Sequence, residues 1–330
     1  RAMTRHTETV KALAGGVGGE KPVLAVFMGG GKSLPAKEKL AESGIPLFES
    51  PERAVATLGK MEEYASWKRR PPRVVTRFRV NRRKVERIIT RRIRAGRRQI
   101  EEVRAKDILC AYGFRIPAGG LSTTSEEAVE TSERIGYPVA MKIVSPHIVH
   151  KSDLGGVKLN LSSREEVEDA FDLMILRIGQ RAPEAMIEGV YVEKMLPQGL
   201  EIIIGMSRDP QFGPMLMFGL GGIFVEVMKD VTFNLAPITA DEAIQMLTST
   251  RSYEILSGAR GQRAIDLTAI ATGLQRISQL ATDFPGIVEL DINPFMIGEF
   301  GTEPYVIDAR ITLKEKGEAV PEWAGAPEDE

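Results

Sequence analysis

A lysine interrupts an otherwise apolar run, Val139-Ala140-Met141-Lys142-Ile143-Val144. An ammonium in such a strand either snorkels out at an edge or meets a fixed anion. The segment His150-Lys151-Ser152-Asp153-Leu154-Gly155-Gly156-Val157 follows closely. Paired glycines let backbone N–H groups approach phosphate oxygens, and Lys151 adds a point charge. A strand lysine with a glycine loop on a hairpin can clamp a triphosphate, although Gly155-Gly156 alone also reads as a tight turn.

Oxygen donors gather far downstream, in Glu289-Leu290-Asp291-Ile292-Asn293-Pro294 and at Asp308. Asp291 and Asn293 alternate along an expected strand and so share a face. Asp308 interrupts the apolar run Tyr305 to Ala309, expected as a strand, where an unpaired carboxylate is costly. Such oxygens suit Mg²⁺, which completes its shell with phosphates and water. A turn opener is the plainer reading of Asp-x-Asn-Pro. Between the two groups lies Tyr191-Val192-Glu193-Lys194-Met195, whose backbone could face an adenine edge, with Glu201 placed for ribose hydroxyls. The loop Phe218-Gly219-Leu220-Gly221-Gly222-Ile223-Phe224 implies a close backbone approach, with phosphate one candidate.

Positioning these groups calls for an α/β chain with α+β lobes. Residues 22–28 and 44–48 read as short buried strands and Ser50-Pro51-Glu52 as a capped helix start running to Trp67. This β-α-β-α piece, residues 1–67, is too small for a complete doubly wound sheet. Gly31-Lys32-Ser33 is no P-loop, because position 26 is Val where a glycine is needed. From Ile100 onward, helices are expected over 101–112, 125–136, 163–178, 241–247 and 263–281. Strands are expected over 114–117, 137–144, 157–161, 190–195, 200–206, 214–220, 224–227, 286–292 and 304–309.

Bulk properties narrow the classes. The length of 330 residues allows two or three domains, and 27% charged residues is ordinary for a soluble protein. No apolar stretch is long enough for a bilayer, and the N-terminus carries no signal core. A single cysteine, Cys110, excludes an intrachain disulfide and is expected in the core, so a reducing cytoplasm is the simplest location. Residues 68–104 carry 16 Lys+Arg against 3 Asp+Glu, leaving the remainder strongly acidic. This basic linker is expected to contain an amphipathic helix docked on the protein's own acidic surface, with nucleic-acid binding the competitor.

From Arg104 to Asp308 the chain resembles the ATP-grasp region of ADP-forming (NDP-forming) acyl-CoA synthetases, relatives of the succinyl-CoA synthetase β-subunit. The resemblance rests on Ala105-Lys106-x-Ile108-Leu109-x-x-Tyr112-Gly113, Gly136-Tyr137-Pro138-Val139 with Lys142, and His150-Lys151-Ser152-Asp153-x-Gly155-Gly156-Val157. It continues through Gly219-x-Gly221-Gly222-Ile223-Phe224-Val225-Glu226 and Asp291-Ile292-Asn293-Pro294. Residues 21–67 resemble the end of the family's flavodoxin-like ligase domain. The resemblance implies an ATP-grasp domain over 105–330, with lobes of about 105–190 and 191–315. It implies that Lys142 contacts the ATP phosphates beneath the Gly155-Gly156 loop, that Glu193 to Met195 hold the adenine, and that Asp291, Asn293 and Asp308 organise Mg²⁺. His150 is a candidate second phosphate-relay histidine or simply a loop histidine.

The expected reaction is acid + CoA + ATP ⇌ acyl-CoA + ADP + phosphate, through phosphohistidine and acyl phosphate. A CoA-binding or ligase partner, on another subunit or upstream in the same polypeptide, and a homo- or hetero-oligomer are expected. A non-catalytic nucleotide-sensing module is the alternative function.

Overall fold

The computed structural model describes residues 10, 21–26, 38, 40–69, 72–148, 151, 153–197, 199–222, 229–258, 265–298 and 304–315. The chain divides into two compact units, residues 1–73 and 74–330. In the first, β1 (Ala25–Val26) pairs in parallel with β2 (Leu47–Phe48), followed by α1 (Pro51–Lys68). Ser50 caps α1 by accepting from the Arg53 N–H, with Pro51 in the first turn, as its sequence requires. Val10, Ala25, Leu40 and Ile45 form its small core.

The second unit begins with α2 (Arg82–Arg94), β3 (Gln99–Ile100) and α3 (Glu102–Ala111). Next come β4 (Gly119–Ser122), α4 (Ser125–Ile135), β5 (Val139–Val144), β6 (Val157–Leu161), α5 (Arg164–Arg181) and β7 (Gly189–Lys194). Strands β8 (Leu200–Asp209), β9 (Gly213–Leu220) and β10 (Val231–Leu235) lead into α6 (Ala240–Thr248), α7 (Tyr253–Leu256) and α8 (Leu267–Asp283). The unit closes with β11 (Ile287–Ile297), β12 (Tyr305–Val306) and β13 (Ala309–Leu313).

These strands form two antiparallel sheets. One has the order β4-β7-β5-β6, and the other runs β10-β9-β8-β11-β13-β3 with β12 beside β11. Alternation decides which face of the larger sheet is covered. Leu216, Phe218 and Leu220 of β9 are fully buried in a core shared with α3, α6 and α8, whereas Met215 and Met217 turn to the other face. Leu274 on α8 sits in that core with no exposed surface. Leu274→Ala is expected to cost ~2–5 kcal/mol, read as a lowered urea midpoint at unchanged m-value.

The smaller sheet packs its own core on α4 and α5, with Val139, Met141, Ile143, Val190 and Val192 facing Val129, Phe171 and Met174. Thr124 caps α4 by accepting from the Glu127 N–H, and Gly136, at φ 82°, follows its last turn. The outer faces of these helices expose Glu126, Glu130, Glu133, Glu165, Asp169 and Asp172.

Several expectations shift. The lobes divide differently: α3 packs in the larger sheet's core, and β7 belongs to the smaller sheet, because the buried face of α3 matches the former. The basic segment is no separate linker body. Val85 and Ile89 of α2 enter the larger core, while Lys84 pairs with Asp107 at 2.9 Å and Arg92 pairs with Glu101. Arg83, Arg87, Arg91 and Arg94 remain on its exposed side. Phe78 is already covered by the Arg276 guanidinium, 4.4 Å from its centroid.

Cys110 is exposed rather than in the core, since Lys106 and Leu109 take the buried positions of α3 and residue 110 turns past them. Residues 114–117 make only a single bridge, Arg115 to Tyr305, and the strand starts at Gly119. Asp308 lies in the link between β12 and β13 rather than inside a strand, because that run splits around it. The strand expected at 224–227 lies outside the described residues. Among the described residues, no helix is long and apolar enough to cross a membrane.

Candidate functional site

Lys142 is buried near the middle of β5 and does not snorkel. Its Nζ lies 2.7 Å from Glu193 Oε1 and 3.1 Å from Glu102 Oε1, and it donates to the Ile307 carbonyl at 2.9 Å. That last bond ties the smaller sheet to the larger lobe one residue from Asp308. Lys106, only 1% exposed, lies 2.9 Å from Glu102 Oε1 and 2.7 Å from Glu193 Oε2. Lys151 pairs with Glu102 Oε2. The result is a buried lattice of three ammonium groups and two carboxylates spanning both lobes.

Burial disfavours every charge in this lattice, and mutual pairing overcomes it. Burial alone would push the Glu102 carboxyl up, but Lys106, Lys142 and Lys151 hold it well below the usual range. Burial would likewise lower the Lys142 ammonium, yet Glu102, Glu193 and Asp308 raise it above the ordinary lysine value. The Tyr191 phenol, buried and facing Glu193 and Glu102, is pushed up to about 12 and stays neutral. Its ring lies under the Lys106 ammonium, 5.5 Å from the centroid.

Sequence reasoning missed Glu102 as a site residue and saw Lys106 only as part of a motif. An (i, i+4) Glu–Lys pair on a helix is ordinarily a solvated surface pair. The signal that could have found it is the spacing itself: both positions fall on the same stripe as Ala105 and Leu109, the buried side of α3.

Val157 sits opposite Lys142 in the β5–β6 register, so the Gly155-Gly156 loop starts beside the ammonium. The Gly156 N–H donates to Lys151 O and its carbonyl accepts from Ile143 N, both at 2.8 Å, so this glycine shapes a turn rather than offering a free donor. A Cβ there would lie 2.5 Å from Ile143 Cγ2 and 3.1 Å from Lys151 O. Gly156→Ala is therefore expected to cost ~1–3 kcal/mol and displace Lys151, seen as a lower melting temperature. Gly155, at φ 77°, faces open space.

Lys194 does not join the lattice. Its Nζ donates to the Gly136 and Tyr137 carbonyls at 2.9 and 2.7 Å. The Lys194 and Met195 N–H groups donate to Ala118 O and Pro138 O, so both are spent within the smaller lobe. Gly221 donates to Glu201 O at 2.8 Å, and a Cβ on it would lie 3.0 Å from Glu201 Cβ. Its close approach is thus to β8. Gly222 follows at φ 62° with open space around it. His150 lies outside the described residues.

A cleft of about 830 Å³ opens between the lobes, bounded by His147 and Lys151 on one side and Asp291, Asp308, Met217 and Phe233 on the other. The Asn293 N–H donates to the Asp308 carbonyl at 3.1 Å, while Asp308 Oδ1 accepts from Ala309 N at 2.7 Å. Burial raises the Asp291 carboxyl, Arg310 lowers it and Asp308 adds to the rise. Burial also raises Asp308, with Glu102 adding to the effect against Lys142 and Lys151. Both carboxylates are thus held at a cost that a cation would relieve.

A family model described as an ATP-grasp domain matches residues 91–313. The chain belongs to the ATP-grasp family. Within it, this ATP-grasp chain groups with the ADP-forming acyl-CoA ligases. It is 46% identical over 225 residues to the Pyrococcus furiosus acetate–CoA ligase [ADP-forming] I subunit beta, covering 68% of this chain and 96% of that subunit. It is 40% identical over 294 residues to the Nitrosopumilus maritimus 4-hydroxybutyrate–CoA ligase [ADP-forming], covering 89% of this chain and 42% of the relative.

A solved relative is the Ca. Korarchaeum cryptofilum dinucleotide-forming acetyl-coenzyme A synthetase 1 in complex with coenzyme A and Mg-AMPPCP, its phosphohistidine segment pointing towards the nucleotide-binding site. It superposes with a TM-score of 0.62 at 40% identity, covering 70% of this chain and 100% of that one. This ATP-grasp chain spans less than half the length of longer relatives, 42% of the Nitrosopumilus maritimus ligase and 45% of the Archaeoglobus fulgidus acetate–CoA ligase [ADP-forming] I.

Proposed function

We propose that the second unit binds a magnesium–adenine nucleotide in the cleft between its lobes. The chain then supplies the nucleotide-handling part of the reaction acid + CoA + ATP ⇌ acyl-CoA + ADP + phosphate. One observation carries this reading: a buried ammonium, Lys142, hydrogen-bonds Ile307 beside the raised carboxyl of Asp308. Lys142 and Lys151 would hold phosphoryl oxygens, with Gly155, Gly156 and Val157 shaping the loop above them. The segment Glu193 to Met195, with Glu201, Gly221 and Gly222, would border the nucleoside.

The donor chemistry fits Mg²⁺. Among the described residues no three His, Cys, Asp or Glu side chains gather as a self-sufficient metal cage. Mg²⁺ needs only a few protein oxygens when phosphates and water supply the rest. Asp308, Asn293 and Asp291 would hold it, where it would neutralise developing charge on the phosphoryl group. Asp308 is anchored for that task by its bond from Ala309 N.

The full reaction needs groups that bind CoA and the acid. The existence of fused and separate-subunit relatives supports a partner domain or subunit, in a homo- or hetero-oligomer, with a phosphohistidine passing between the parts. His150 is the candidate relay on this chain. Titration calorimetry of the full chain with ADP, ATP and GTP in magnesium buffer tests the core of this reading. Heat of binding is expected, and its absence with all three would remove the proposal. Phosphopeptide mapping after incubation with ATP and a ligase partner should place label at His150, and label unaffected by His150→Ala would discard that role.

A further inference from the structure

Lys106 is too deep to touch a ligand. It is 1% exposed, its ammonium lies over the Tyr191 ring, and both carboxylates of the lattice pair it to the other ammonium groups. A charge placed there can act only through its neighbours. Glu193 gives one oxygen to Lys106 and the other to Lys142. Glu102 shares Oε1 between Lys106 and Lys142 and gives Oε2 to Lys151. Three cations against two anions leave the lattice with one positive charge in excess.

Without Lys106, Lys142 and Lys151 would be fully matched by Glu102 and Glu193. A polyphosphate would then meet a neutral wall.

We propose that Lys106 is a positioning residue that occupies Glu102 and Glu193 so that Lys142 and Lys151 keep charge for a nucleotide polyphosphate. The inference rests on the nucleotide reading of the cleft. Asp308, whose charge also bears on Lys142, is matched by the divalent ion and so stands outside this balance. The physics favours such an arrangement. A lone pair of buried lysines would repel each other at a large desolvation cost, whereas two carboxylates interleaved among three ammonium groups offset that cost and hold them in register. The excess is then expressed at Lys151, whose side chain is 17% exposed and lines the cleft, with Lys142 sharing Glu102 behind it.

Charge balance, unlike packing, can be restored by a second substitution. Lys106→Met keeps the volume and removes one positive charge. Glu102→Gln removes one negative charge and leaves every lysine in place. The double variant returns the lattice to an excess of one. Dissociation constants for Mg-ADP would be measured on the full chain by titration calorimetry, with melting temperatures recorded beside them.

Lys106→Met is expected to weaken binding at least tenfold and to flatten the dependence of Kd on KCl concentration. Glu102→Gln is expected to tighten binding several-fold. The double variant is expected within threefold of the parent, even where its melting temperature stays below it. Parent-like affinity in Lys106→Met, or failure of the folded double variant to recover, would overturn the proposal. Should Lys106→Met not fold, Glu102→Gln still decides, since unchanged or weaker binding contradicts the charge count. No heat from the parent chain would instead overturn the nucleotide reading and this inference together.

Discussion

Replacing Lys142 with alanine is expected to lower phosphoryl transfer ~10²–10³-fold in an assay that supplies the CoA-binding partner. That is the scale on which one preorganised donor to a developing negative charge operates. The same change should lower stability, because Glu193 Oε1 loses its 2.7 Å partner and the Ile307 carbonyl loses its donor. Stranding one member of a buried ion pair costs ~3–5 kcal/mol. Circular dichroism and urea titration would separate the two effects, and near-parental turnover in folded protein would discard the assigned role.

The pH dependence follows with a definite sign. Glu102 is held below its unfolded value, so its contribution is present above that value, near ~4.3, and fades as pH falls toward the folded one. Lys142 is held above its unfolded value, so its contribution is complete below ~10.4 and fades as pH rises further. The lattice thus gives a flat stability plateau between these limits. Lys142→Ala should blunt both edges, the acid one because Glu102 then has fewer cations to lose.

Asp308→Asn is expected to do the opposite to stability while still lowering phosphoryl transfer. Its carboxyl is raised first by burial and then by Glu102, so the charged form is a cost at neutral pH. Asparagine keeps the acceptor for the Ala309 N–H, whose bond to Asp308 measures 2.7 Å. In chelator the variant should melt ~1–2 °C above the parent, which corresponds to about 1 kcal/mol at ~2.1 cal/mol/K of unfolding entropy per residue.

The parent in chelator should gain stability as pH falls through the raised value, because the folded form then binds the extra proton; the variant should not. Magnesium should raise the parent's melting temperature and leave the variant's unchanged. A preserved magnesium shift in Asp308→Asn would refute the metal assignment, and phosphoryl transfer should fall on the order of 10²-fold or more.

Much of this was legible from residue types in unlikely places. Lys142 and Asp308 stand out because a charge inside an apolar run must be explained, and the structure bonds Lys142 to the Ile307 carbonyl, next to Asp308 at the cleft. The strand and helix order followed from periodicity and caps, with Ser125 opening α4 as expected. What stayed hidden depended on tertiary docking. Glu102 and Lys106 look like a solvated helical pair until α3 is seen docked in the larger core, with Lys106 reaching Glu193 of β7. The lobe boundary was misjudged for the same reason, since the apolar stripe of α3 fits either sheet on pattern alone. Gly156 and Gly221 looked like phosphate donors, yet both N–H groups close turns against their own chain. Such a choice is set by backbone partners that spacing does not reveal.

The arginine side of α2 has a consequence for handling the protein. Arg83, Arg87, Arg91 and Arg94 face outward on one helix, whereas α4 and α5 turn Glu126, Glu130, Glu133, Glu165, Asp169 and Asp172 to solvent. A formal net charge of −1 therefore conceals a strongly dipolar surface. Chromatography should expose it: the chain should be retained on both sulfonate and quaternary-amine resins at neutral pH and low salt, and elute from each as ionic strength rises.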